Sequence, residues 1–271
     1  MTQRLLTALV ILAVAIPLVV IGNVPFIILG LGVASIAIFE MFNLLPKKEY
    51  VPIEVKIFTV LATLYVMFSG FNFETLSFES GLFDVNLVSV AVAVFFLLII
   101  AVVRKNFTVT TVGFLLMAIL YVGTTFHAML YLRFMGLAYL LLVVAVAAIS
   151  DSAAYFVGKR FGRRKLAPII SPNKTIEGAI GGTCFGVLAG IIFGLATSIS
   201  TSILYLGLVS LVISIIGLVG DLVASSMKRQ YQIKDFGSLF PGHGGVLDRL
   251  DSHLFASLGL YILLNLMNVV N

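Results

Sequence analysis

Residues 202–226 read SILYLGLVSLVISIIGLVGDLVASS, an apolar run whose one charge is Asp221. About 20 such residues, wound as a helix, cross the ~30 Å hydrocarbon core of a bilayer. Eight more runs of similar length surround it, at roughly 4–21, 24–45, 53–71, 86–103, 109–130, 134–158, 175–198 and 248–269. The whole chain, 271 residues, is 61% hydrophobic and 11% charged, with a mean hydropathy of +1.16. A soluble domain carries about 25% charged residues, so the bilayer is the natural solvent. A β-barrel would alternate apolar and polar residues over segments of ~10, and no such alternation is present. The expected fold is therefore an all-α polytopic membrane protein with nine transmembrane helices in a single membrane domain.

The charges test the span count. With nine helices, the N-terminus and the loops after helices two, four, six and eight share one side. That side holds all of the 17 basic residues except Arg133. Glu74, Glu79 and Asp84 fall on the other side. The positive-inside rule then puts the N-terminus in the cytoplasm and the C-terminus outside. The first run follows Arg4, lacks a small-residue cleavage site and leads directly into the second, so it reads as a retained helix. The lone cysteine, Cys184, excludes an intrachain disulfide and reads as a buried small hydrophobe.

The chain is lopsided. Residues 1–145 read as scaffold helices, whereas 146–271 hold two polar cytoplasmic segments and most intramembrane charge. In helix seven, Gly178, Gly182, Gly186, Gly190 and Gly194 recur every four residues and form one ridge, suited to close packing of a neighbouring helix within the chain. A carboxylate at a helix centre costs about 2.5–3.5 kcal/mol on insertion scales, so intramembrane acids need a reason. Asp151 near the end of helix six and Asp221 inside helix eight are the clearest cases; Glu40 reads as snorkelling to the interface. An ion pair with a nearby lysine is the plain alternative for Asp221, weighed below a metal or substrate role.

Asp221, Ser225 and Lys228 share one helix face. Asp248 and Asp251 share another at the start of helix nine, where the helix N-terminus favours an acid and can account for one of them. Between lie Lys228-Arg229, Lys234-Asp235 and Phe236-Gly237-Ser238-Leu239-Phe240-Pro241-Gly242-His243-Gly244-Gly245. Glycines let backbone N–H groups turn toward an anion, and lysines and arginines add charge for phosphates. Carboxylate oxygens suit Mg²⁺, usually held by one or two carboxylates plus substrate phosphates. A second basic patch runs from Asp151 through Tyr155, Gly158, Lys159, Arg160, Gly162, Arg163, Arg164 and Lys165 to Ser171-Pro172-Asn173-Lys174-Thr175-Ile176-Glu177-Gly178. An ordinary positive-inside loop explains some of its arginines but not its glycine spacing. Glu177 fits a first-turn position.

Ser225-x-Met227-Lys228-Arg229-x4-Lys234-Asp235-x-Gly237-x3-Pro241-x-His243-Gly244-Gly245-x2-Asp248-Arg249-x-Asp251 resembles the signature of the phosphatidate cytidylyltransferases, the CDP-diacylglycerol synthases. Residues 151–178 resemble that family's second cytoplasmic motif. The resemblance implies an all-helical enzyme that converts CTP and phosphatidate into CDP-diacylglycerol and pyrophosphate with Mg²⁺, for phospholipid synthesis. It implies a homodimer in a bacterial-type inner membrane with a cytoplasmic active site. The implied partners are CTP, phosphatidate and the bilayer, with no nucleic acid.

Carried over by position, Asp221 and Asp248 hold metal, with room for a second ion, and Asp251 is a further ligand or orienting group. Lys228, Arg229, Lys234 and Arg249 clamp phosphates. Asp151, Lys159, Arg160, Ser171, Asn173, Lys174, Ser225, His243, Gly244 and Gly245 line the substrate site. His127 falls toward the outer face and His253 packs in helix nine, so His243 alone remains as a histidine at the site. Two other readings stay open: another CTP-using membrane enzyme, such as a polyprenol kinase or a synthase acting on an archaeal-type lipid, and a transporter with carboxylate ion sites. The transporter reading calls for broken helices in two related halves, which the sequence does not show.

Overall fold

The computed structural model describes residues 2–45, 51–78, 87–105, 107–240, 242 and 244–270. Each apolar run contains a helix: α1 (Thr2–Ile21), α2 (Asn23–Phe42), α3 (Ile53–Met67), α4 (Leu87–Val103), α5 (Val109–Met135), α6 (Leu137–Phe161), α7 (Ile176–Ala196), α8 (Ile203–Gln230) and α9 (Leu247–Val270). The fold is all-α and polytopic. Six of the helices (α2, α5, α6, α7, α8 and α9) are long and apolar enough to cross a membrane; Ile11–Ile21 of α1 and all of α4 are shorter apolar helices. The helices stop where the chain supplies a stop. Gly22, with φ 74°, takes the left-handed turn between α1 and α2 that a side chain would resist, and Pro52 sits just ahead of α3.

Two short antiparallel hairpins were not expected: β1 (Phe71–Asn72) with β2 (Ser77–Phe78), and β3 (Lys165–Ala167) with β4 (Ser171–Thr175). Both are too short to show the period-two alternation by which a strand is read.

The chain divides into two compact units: Met1–Leu130 with Asp235–Asp248, and Tyr131–Lys234 with Arg249–Asn271. In the first, α2 packs against α1 and α3. Ala34, Ala37, Ile38 and Met41 of α2 are fully covered. Gly30 faces Met67 and Leu130, and Gly123 faces Val66. His127, placed toward the outer face by the sequence, is buried, with Nδ1 3.2 Å from the Met67 carbonyl.

In the second unit α6, α7 and α8 pack around the glycine ridge. All five ridge glycines are buried. A Cβ on Gly178 would lie 2.7 Å from the Ala154 carbonyl, and one on Gly182 2.7 Å from that of Ser150. Further along, Gly186, Gly190 and Gly194 face Ser214, Ser210 and Leu206 of α8. The ridge is thus a packing seam inside the chain, as its spacing implied, and lets backbones approach where lipid supplies no hydrophobic drive. Beyond it, Leu142, Val143, Val146, Val209, Ile213, Ala256 and Leu260 form the apolar core. Cys184 is a correction: it is exposed, on the outward face of α7 with Phe185 and Leu188. In a membrane helix the outward face is as apolar as the packed one, so composition alone did not separate them.

Candidate active site

The second unit builds a charged cluster at one end of α6 and α8. Thr175 caps α7, its Oγ1 accepting from the Gly178 N–H at 3.1 Å. Glu177, in the first turn of α7, accepts from the N–H groups of Arg163 (3.0 Å) and Arg164 (3.1 Å) and so pins the start of the hairpin. Ile176 donates to the Arg164 carbonyl at 2.9 Å. Gly158 and Gly162 leave the space that Thr175 fills; a Cβ on Gly158 would come within 2.8 Å of its Oγ1. The glycine spacing of this patch therefore serves the seating of β4 against the end of α6.

Seated in this way, β4 delivers Lys174 to α8. Its Nζ lies 2.5 Å from Asp221 Oδ2, both side chains about one-quarter exposed. Asp221 Oδ1 accepts from Ser225 Oγ at 3.3 Å, one helical turn on. The ion pair considered for Asp221 thus exists, and its lysine comes from the other conspicuous polar stretch. Arg229 Nε donates to the Ile170 carbonyl at 3.4 Å and ties the hairpin to the end of α8. Asp151 accepts a hydrogen bond from Ser252 and interacts electrostatically with Asp221, Lys174 and His253. Asp251 interacts with Asp221, Lys228 and Asp151. Lys159, Arg160, Asn173 and Arg229 stand exposed around this half-buried group, with Ser171 partly covered.

The structure therefore gathers Asp151, Lys174, Asp221, Ser225, Lys228 and Asp251 from two sequence motifs. His253, which the sequence reading left in the packing of α9, and Ser252, which it did not single out, adjoin them; their position directly after Asp251 was the available signal. Among the described residues, no three His, Cys, Asp or Glu side chains converge closely enough to hold a metal ion by themselves. The chemistry of the donor set nevertheless fits Mg²⁺: hard carboxylate oxygens in an anion-rich, half-buried setting, for an ion that takes one or two carboxylates and completes its shell with phosphates and water.

In the first unit, Gly237 and residues 245–247 close on Glu40. Asp248 Oδ2 accepts from the N–H groups of Phe236 (2.7 Å) and Gly245 (2.9 Å). Gly244, with φ 80°, pairs with Phe240 across the turn. Glu40 is the second correction. It does not snorkel: it is 4% exposed and accepts from Val246 (2.8 Å) and Leu247 (2.9 Å). The partners stand 206 and 207 positions away in the chain, beyond the reach of any local pattern. Lys234 and Arg249 are exposed. Pro241 and His243 lie outside the described residues.

The sequence model of the cytidylyltransferase family matches residues 2–267. The chain belongs to this family. A phosphatidate cytidylyltransferase of Bacillus subtilis (strain 168) is 38% identical over 273 aligned positions, covering 99% of both chains. The enzymes of that name from Staphylococcus haemolyticus (strain JCSC1435) and Staphylococcus aureus (strain COL) are 36% and 34% identical, each over 97% of this chain and 99% of their own.

Proposed function

We propose that this multi-pass membrane protein is a nucleotidyltransferase that transfers the cytidylyl group of CTP to phosphatidate, yielding CDP-diacylglycerol and pyrophosphate for phospholipid synthesis. One observation carries the reading beyond family likeness: Lys174 and Asp221, a cation and an acid from two separate polar stretches, meet at the mouth of an otherwise apolar helix. A lipid phosphate arriving from the membrane and a nucleotide arriving from water can both reach such a place.

A phosphate oxygen of phosphatidate attacks the α-phosphorus of CTP, and the bond to the β-phosphate breaks. The nucleophile has a second pKa near 6 and is already largely ionised at neutral pH, so the chain need not supply a strong base. Its task is to position two anions and offset their charge. Lys174, Lys228, Arg229, Lys234 and Arg249 are assigned to phosphates, and Lys159 and Arg160 to CTP or the lipid headgroup. Ser171, Asn173, Ser225 and His243 are assigned to substrate contacts, together with the backbone at Gly244; the N–H expected of Gly245 is already held by Asp248. Asp151 and Asp251 orient the cations beside them. Asp221 and Asp248 are each assigned to magnesium, with room for a second ion. Magnesium, when bound, supplies charge neutralisation on the CTP phosphates and the departing pyrophosphate. Lys174 would pass from Asp221 to a substrate phosphate as the site fills.

The proposal extends to nine spans with the N-terminus and active site cytoplasmic and the C-terminus outside, in a bacterial-type inner membrane, and to a homodimer. The test is CTP labelled at the α-phosphate. The label should appear in an extractable lipid when phosphatidate and Mg²⁺ are both supplied; label that stays water-soluble with every phosphatidate species would refute the acceptor.

A further inference from the structure

Glu40 is a buried acid that the reaction, as written above, does not use. Its surroundings show what it holds. Helix α9 begins at Leu247, and the residue before it is Val246, whose side chain has no acceptor for the helix's first N–H groups. An N-terminus normally takes that acceptor from a serine, threonine, aspartate or asparagine at the capping position. Here the acceptor comes from α2: the two oxygens of Glu40 receive the N–H groups of Val246 and Leu247. A negative charge at a helix N-terminus is also favoured by the helix dipole.

Two glycines of the loop, Gly237 and Gly245, take their meaning from the same carboxylate. A Cβ on Gly237 would sit 2.8 Å from Glu40 Oε1, and one on Gly245 would collide with the carboxyl group. Gly245 in turn gives its N–H to Asp248 Oδ2, which also receives that of Phe236. Glu40, the backbone at Phe236 and at residues 245–247, and Asp248 thus form one continuous hydrogen-bonded body, and the direction in which Asp248 leaves the first turn of α9 depends on it.

We infer that Glu40 is a positioning residue for the cytidylyltransfer reaction: it caps α9 from a distance and holds Gly237 and residues 245–247 in place so that Asp248 is set before substrate arrives. This rests on the proposed reaction for its activity arm but not for its structural arm. Residues that orient metal-ligating carboxylates typically cost about 10–100-fold in activity when replaced. Glu40→Gln places an amide N–H₂ against backbone donors, whereas Glu40→Asp keeps the charge on a shorter arm.

The structural arm uses Leu239, half exposed in the loop. With Cys184 replaced by serine, Leu239→Cys carries a single nitroxide label. The label should be immobilised in the parent, mobile in Glu40→Gln and intermediate in Glu40→Asp. In unlabelled protein, kcat for CDP-diacylglycerol formation should fall about 10–100-fold in Glu40→Gln and recover partly in Glu40→Asp. Gly245→Ala, which leaves Glu40 in place but crowds it, should mobilise the label as well and serves if Glu40→Gln does not fold.

A label that stays immobile in both Glu40→Gln and Gly245→Ala overturns the positioning role, whatever the activity. A mobilised label with kcat intact also overturns it, because the loop would then be held for stability alone. Absence of the reaction in the parent, with the label mobilised by Glu40→Gln, would refute the proposed function and leave the capping geometry standing.

Discussion

At the end of α8, Asp221 meets a lysine ammonium and a serine hydroxyl; ahead of α9, Glu40 and Asp248 meet the backbone N–H groups of Phe236, Gly245, Val246 and Leu247. Both regions draw carboxylates into apolar surroundings, where an unsatisfied charge is costly. They satisfy them differently. A backbone donor cannot leave without unfolding the loop, so Glu40 is committed to structure. An ammonium on a four-carbon arm can turn to another anion at little cost, so Asp221 keeps a partner it can exchange. The first arrangement builds a frame; the second is what a site needs if it must open for a charged substrate.

If that contrast holds, Asp221→Asn should remove most activity, on the order of 10³-fold in turnover, while the melting midpoint in detergent stays near that of the parent, because the flexible four-carbon arm lets the Lys174 ammonium turn out to water once its acid is gone. A large fall in stability would break the contrast by making Asp221 a framework acid. Asp248→Ala should also abolish turnover, but with a stability loss of about 1–3 kcal/mol, since it leaves two backbone N–H groups without their acceptor; thermal unfolding beside an activity assay separates the two mutants. Lys174→Met should lower turnover about 10²-fold through loss of a charged phosphate contact, with KM for CTP rising in the same series. Gly158→Ala should push against Thr175 and destabilise by about 1–3 kcal/mol, read as a lower melting midpoint. The smallest effect belongs to the surface pair of Glu54 and Arg104, 3.0 Å apart with both side chains exposed. Glu54→Gln should change stability by less than about 1 kcal/mol and leave turnover unchanged.

The positions of the helices could be read from the sequence because run length and hydropathy are local quantities, and the bilayer imposes them on each helix separately. The glycine ridge could be read for the same reason: five residues at a fixed spacing define a face without knowledge of the neighbour. What escaped were relations between distant residues. Nothing in Ser171-Pro172-Asn173-Lys174 says that it forms a strand returning toward α6, or that Lys174 ends on Asp221. Glu40 looked like an interfacial acid because its partners are two backbone groups near the far end of the chain. Cys184 was misplaced because hydropathy does not tell an inward face from an outward one in lipid. In the signature segment the glycines suggested an inward-turned backbone; the structure adds that the N–H groups of Gly245, Val246 and Leu247 are taken by the protein's own carboxylates.

The most direct measurement is pyrophosphate release by the purified protein in detergent, with CTP and Mg²⁺, with and without phosphatidate, for the parent and for Asp221→Asn. Release that requires both CTP and phosphatidate in the parent and vanishes in the folded mutant is the predicted result. Release without phosphatidate, or release undiminished in Asp221→Asn, would contradict the account.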